Sequence, residues 1–159
     1  MRVKKGYATR RGKIAVEDAA AYVRDLAQRL EARGRLGTTR SFIQHGDVSV
    51  YDHVLAVAKT SICMARVLSR VGIAVDVHAL VRGALLHDYF LYDWHDSDPS
   101  HRLHGFKHPF FALERAEEDF DLTPIERNII ARHMFPLVPI PPVCREAWIV
   151  CLADKACAL

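Results

Sequence analysis

Apolar residues recur at intervals of three and four along nearly the whole chain, the spacing of amphipathic helices. Val16, Ala20, Val23, Ala27 and Leu30 share one face of a predicted helix over residues 16–33, which Gly34 and Gly37 end. A polar link runs on to about Asp47. Ser49, with Asp52 three residues later, is a capping-box-like start for a second helix. His53, Val57, Met64, Ala65 and Leu68 mark its face, and Gly72 stops it. Asp76 can cap a third helix, whose Val77, Leu80, Val81, Ala84 and Leu85 lead to His87 and Asp88. Residues 91–105 read as a long polar loop. Pro109 suits the first turn of a fourth helix running to about Asp119. Thr123-Pro124-Ile125-Glu126 combines an N-cap, a proline at the first helical position and a box-closing glutamate, so a fifth helix runs through Ile129 and Ile130 to His133. Pro136, Pro139, Pro141 and Pro142 predict an extended link, and a last helix covers about 143–158. No segment alternates with the period of a strand. The expected fold is all-α, with short connections that make consecutive helices neighbours.

Composition adds bounds. A chain of 159 residues is the size of one domain and can bury a core without disulfide or zinc staples. It is 50% hydrophobic and 26% charged, which fits a folded globular protein rather than a disordered one. Lys plus Arg is 22 against 19 Asp plus Glu, and much of the small excess sits in Arg2, Lys4, Lys5, Arg10, Arg11 and Lys13. That cluster reads as a solvated tail, and nucleic acid is not expected as the main partner. Cys63, Cys144, Cys151 and Cys157 form no CxxC pair and are expected to be reduced core residues. No apolar run reaches the roughly 18 residues that a membrane span needs, and no apolar stretch follows the basic start. A cytoplasmic protein is expected.

The placement of ionisable residues then changes the picture. Asp88 follows Ala84 by four, and Ala84 follows Val81 by three, so Asp88 falls on the buried face of its helix. His133 follows Ile129 by four and Ile130 by three, and Asp154 stands in line with Val143, Ala147 and Val150. One histidine on an apolar face is usually a hydrogen-bonded core residue. Several on successive helices, together with the adjacent His87-Asp88, point instead to a shared site. A buried carboxylate costs several kcal/mol that imidazoles alone offset poorly, whereas a divalent cation offsets it well. Imidazole and carboxylate without thiolate suit iron, manganese, zinc or nickel.

The order His53, His87-Asp88, His108, His133, Asp154 resembles the HD-domain superfamily of metal-dependent phosphohydrolases, over about residues 45–159. Gly83-Ala84-Leu85-Leu86-His87-Asp88 and Leu152-Ala153-Asp154-Lys155 resemble its two hallmark segments. The resemblance implies an HD-domain helical bundle over residues 45–159, with residues 1–44 forming a basic lead-in and an additional N-terminal helix packed on the core. It also implies that His53, His87, Asp88 and Asp154 hold one metal, and that His108 and His133 hold a second, with Asp88 bridging. That is the pattern of binuclear members such as the di-iron diadenosine tetraphosphate hydrolases. Two divalent transition metals are expected, iron first, with manganese, zinc or nickel compatible.

The implied activity is hydrolysis of a phosphate ester or anhydride by a metal-bound hydroxide, on a small, nucleotide-like phosphorylated substrate. Asp88 and Lys155 are the expected catalytic residues. Lys59, Lys107, Arg132 and Lys155 are the candidates for phosphate oxygens. After the His-Asp pair the chain reads Tyr89-Phe90-Leu91-Tyr92, not the Ile-Gly-Lys of many relatives. It has neither a Gly-Tyr-Pro segment nor a His-His pair, which argues against cyclic dinucleotide cleavage. His95, His101 and His104 lie in the polar loop, and His104 is a competitor of His108 four residues away. Two other functions share the same ligand set: a mixed-valence di-iron oxygenase and a nucleotide-binding module with little turnover. Self-association as a homodimer is common among such proteins and is an expectation here.

Overall fold

A computed structural model describes residues 16–95, 99 and 103–159. The basic cluster before residue 14 and His101 lie outside the described residues. The first helix, α1 (Val16–Arg33), keeps the predicted bounds. It buries Ala19, Tyr22, Val23, Leu26, Ala27 and Leu30. The following link is not featureless. A short 3-10 turn over Leu36–Ser41 leads into an antiparallel hairpin, β1 (Ile43–His45) with β2 (Val48–Ser49). Strands of two and three residues are too short to show period-two alternation, and only Gly46, at φ 54°, marks the reversal.

The next helix, α2 (Val50–Arg70), starts as expected. Ser49 accepts a hydrogen bond from the Asp52 backbone N–H at 3.1 Å. Asp76 likewise accepts from the Ala79 N–H and opens α3 (Val77–Leu86). Then α4 (His104–Asp119) begins earlier than the sequence pattern implied, so Pro109 lies inside the helix rather than in its first turn. His108 is therefore in the second turn of α4 and does not open it. Thr123 and Glu126 close a full capping box on α5 (Pro124–Arg132), and α6 (Arg145–Cys157) completes the chain. Val143 precedes α6 and is exposed, so it does not continue the buried line of Ala147 and Val150. Of the cysteines only Cys151 is buried, and Cys63 is exposed.

The architecture is all-α, as the periodicity predicts. The long helix α2 packs against α3 and α6, and α5 closes on α3, α4 and α6. Gly83 makes the α3–α5 approach possible: a Cβ there would stand 2.4 Å from Ile129 Cδ1. Val57, Ala58, Ile62, Leu80, Val81, Ile129, Ile130, Ala147 and Val150 are fully or almost fully buried where these helices meet. This packing brings the C-terminal ends of α3 and α5 beside the first turn of α2, the second turn of α4 and the last turns of α6. No helix among the described residues is long and apolar enough to cross a membrane.

Candidate metal centre

Helix ends build this site. The last carbonyls of a helix have no intrahelical donor. His87 is the residue just past α3, and His133 the residue just past α5. Each turns its ring back on its own helix: His87 Nδ1–H donates to the Ala84 carbonyl at 2.7 Å, and His133 Nδ1–H donates to the Ile130 carbonyl at 2.8 Å. His108 does the same inside α4, donating from Nδ1 to the His104 carbonyl at 2.9 Å. A carbonyl only accepts, so all three Nδ1 atoms carry the proton. In the neutral ring Nε2 is then a lone pair, aimed away from the helix.

All three lone pairs converge on Asp88. His108 Nε2 and His133 Nε2 lie 3.2 Å and 3.4 Å from Asp88 Oδ1, and only 2.8 Å from each other. His87 Nε2 lies 3.3 Å from Asp88 Oδ2 and 3.4 Å from Asp154 Oδ1. His53, in the first turn of α2, places Nε2 2.9 Å from Asp154 Oδ1 and 3.7 Å from Asp88 Oδ2. His53, His87, Asp88, His108 and His133 are buried, and the Asp154 side chain is 13% exposed. The six residues expected from the sequence to be ligands thus come together from five helical segments.

They form two groups whose ligand atoms could hold a metal ion: His53, His87, Asp88 and Asp154 in one, and Asp88, His108 and His133 in the other. Asp88 is common to both. The electrostatics fit a cation. Asp88 Oδ1 and His87 Nε2 are buried without a hydrogen-bond partner among the described residues. The facing lone pairs of His108 and His133 repel unless a positive centre stands between or beside them. Burial pushes the Asp88 carboxyl up, but the closeness of the His87, His108 and His133 rings outweighs it and holds the group well below its usual range. Asp154 follows the same pattern through His53 and His87. Burial opposes the charge on His87, yet the two aspartates raise that ring well above an ordinary histidine. His133 goes the other way, lowered by burial. Two carboxylates facing four imidazole rings in a buried site are the kind of donor set a divalent metal needs.

A scan against protein-family models matches the HD domain over residues 50–159. The chain belongs to the HD-domain family. Neither the search of curated proteins nor that of solved structures returned a match. HD domains are generally metal-dependent hydrolases that bind divalent metals, and in this HD protein the His and Asp groups that could hold one are those just described.

The other predicted site residues are more dispersed. Lys59 and Lys107 are exposed on α2 and α4. Arg132 is half-buried, and its Nε is buried with no partner among the described residues. The exposed Lys155 sends its ammonium to the His133 carbonyl at 3.1 Å and the Cys151 carbonyl at 3.4 Å, bracing the end of α5 against α6. His104 stacks on His108 with ring centroids 4.5 Å apart, and its Nδ1 lies 2.8 Å from the Tyr92 hydroxyl. Trp94 stacks on the far side of His104, so His104 backs His108 within an aromatic pile. His95 is exposed beside Asp93 and Trp94.

One residue in contact with the centre escaped sequence reasoning. Gln44, on β1, donates from Nε2 to Asp88 Oδ2 at 3.2 Å. It lies in a polar link outside any periodic pattern, and no motif or spacing marks it.

Proposed function

We propose that this HD protein hydrolyses a phosphate ester or anhydride of a small, nucleotide-like substrate, using two divalent metals held around Asp88. The observation that carries the reading is the shared carboxylate. Asp88 presents Oδ2 to His87 and His53 and Oδ1 to His108 and His133, so two ligand groups meet on one residue. His53, His87, Asp88 and Asp154 would hold one ion, and Asp88, His108 and His133 the other. When bound, paired divalent cations lower the pKa of water toward neutrality and neutralise charge developing on a phosphoryl group.

The chain's own residues supply the rest. The carbonyl-tied Nδ1 protons keep three imidazoles in the ligating tautomer and fix their ring planes. Asp88 is the residue whose position both halves of the site depend on. Lys155 holds the His133 carbonyl, and with it the end of α5. Lys59, Lys107 and Arg132 are the candidates to receive phosphate oxygens, and Arg132, with its unpartnered Nε, is the first to test.

The test is elemental analysis of protein purified without chelator, with His133→Ala beside it, followed by phosphate release from a nucleotide panel. Two equivalents of transition metal, falling to one in the variant, with turnover of a nucleotide, are expected. One equivalent that survives His133→Ala would refute the binuclear reading. Metal without phosphate release, but with oxygen consumption, would refute hydrolysis.

A further inference from the structure

We propose that Gln44 is a positioning residue of the metal centre, and that the hairpin preceding the family match is part of the site. The inference rests on the metal-centre reading above but uses a residue that the reading does not. The HD-domain match begins at residue 50, so the whole hairpin lies outside it.

Two independent features converge on Gln44. The first is its contact. Its Nε2 donates to Asp88 Oδ2 at 3.2 Å, making Gln44 the neutral donor on a carboxylate otherwise surrounded by imidazoles. The second is the backbone beneath it. Ile43 pairs with Ser49 and His45 with Val48, so β1 takes two steps where β2 takes one. Gln44 is the extra residue, and the register shifts at its position. An extra residue in a hairpin re-aims its side chain relative to its neighbours. Ile43 and His45 are exposed on either side, while Gln44 turns inward.

The consequence is asymmetry in Asp88. A free carboxylate has two equivalent oxygens and a soft terminal torsion. The Gln44 N–H binds Oδ2, which leaves Oδ1 as the oxygen without a donor, facing His108 and His133. Gln44 thereby decides which oxygen serves which group. Partners that hold a ligating carboxylate in this way affect metal affinity by about 10–100-fold.

The experiment titrates Mn2+ alone into chelator-stripped full-length protein, comparing wild type with Gln44→Met, which keeps the side-chain length and removes the donor. Gln44→Leu is the second variant. Weakening of Mn2+ binding by about 10-fold or more, with the metal-free melting midpoint unchanged, is the expected result. Wild-type affinity in either folded variant overturns the positioning role. Unfolding of both variants also overturns it, because Gln44 would then be a structural residue of the hairpin. Failure of the wild type itself to bind Mn2+ overturns the metal-centre reading first, and is told apart by that.

Discussion

Gly83→Ala tests whether the α3–α5 contact sets both stability and site geometry. An alanine Cβ would meet Ile129 Cδ1 at 2.4 Å, and Ile129 Cβ and Cγ2 at 3.0 Å each. Rotation of Ile129 can clear Cδ1. It cannot clear Cβ, which is fixed to the α5 backbone, so the two helices must part by a few tenths of an ångström. Ile129 is fully buried and nothing around it gives way freely. Alanine gains about 1 kcal/mol of helix propensity over glycine, while overpacking a core costs about 1–3 kcal/mol. The net is a loss of up to about 2 kcal/mol, and at 2–4 °C per kcal/mol for a chain of this size the melting midpoint falls by up to about 8 °C. Because α3 ends at His87-Asp88 and α5 at His133, the same separation loosens Mn2+ binding. The assay is a thermal melt with a parallel Mn2+ titration, repeated in Gly83→Ala/Ile129→Val. Removing Cδ1 relieves part of the clash, so the double variant should lose less than the two single losses added together. A midpoint above wild type in Gly83→Ala, or strict additivity, would refute the close-approach argument.

Two further outcomes follow from the same structure. Saturating divalent metal should stabilise the fold: at 100 times its Kd a ligand adds about 2.7 kcal/mol, roughly 5–11 °C here, reversed by chelator, and no shift at saturation would mean that the native state holds no such site. Asp119 concerns pH. Burial pushes its carboxyl up, but Arg35 at 2.8 Å and the Tyr89 hydroxyl at 2.6 Å outweigh that and hold it below the usual value. A carboxyl lowered on folding contributes stability that is complete above its unfolded pKa of about 3.9 and is lost as pH falls through the folded value. Asp119→Asn should therefore lower the midpoint at neutral pH and flatten the loss of stability below about pH 4; an acid limb as steep as wild type's would remove Asp119 from that dependence.

Helices and caps were legible because their signals are local. Ser49, Asp76 and Thr123 each cap the helix that follows, and the three- and four-residue spacing marks the buried faces. The burial of Asp88 and His133 was legible for the same reason, since an ionisable residue four after an apolar one must share its face. Adjacency in sequence is a weaker guide than periodicity. Lys155 follows Asp154 directly, but one residue along a helix is a rotation of about 100°, and its ammonium ends on backbone carbonyls. Pro109 misled: a proline that suits a helix start lies within α4, which begins at His104. The hairpin, and Gln44 with it, left no trace because two- and three-residue strands have no period and a bulge is a property of the pairing rather than of either strand.

The way the histidines are tied to the backbone fixes the geometry of the centre independently of any metal. A ligand held only by the ion would be free to turn once the ion leaves. Here His87, His108 and His133 each spend Nδ1 on a carbonyl of their own helix, and the Ala84 and Ile130 carbonyls lie in the last turns of α3 and α5. Those bonds satisfy helix-end carbonyls whether or not a metal is present. Two of the three hydrogen bonds therefore finish a helix end, and all three orient lone pairs. Among the described residues, the unpaired side-chain atoms at the centre are Asp88 Oδ1, His87 Nε2 and Gln44 Oε1, and His108 and His133 face each other at 2.8 Å. The fold keeps the geometry on its own, so a cation bound among these groups would have little ordering left to do.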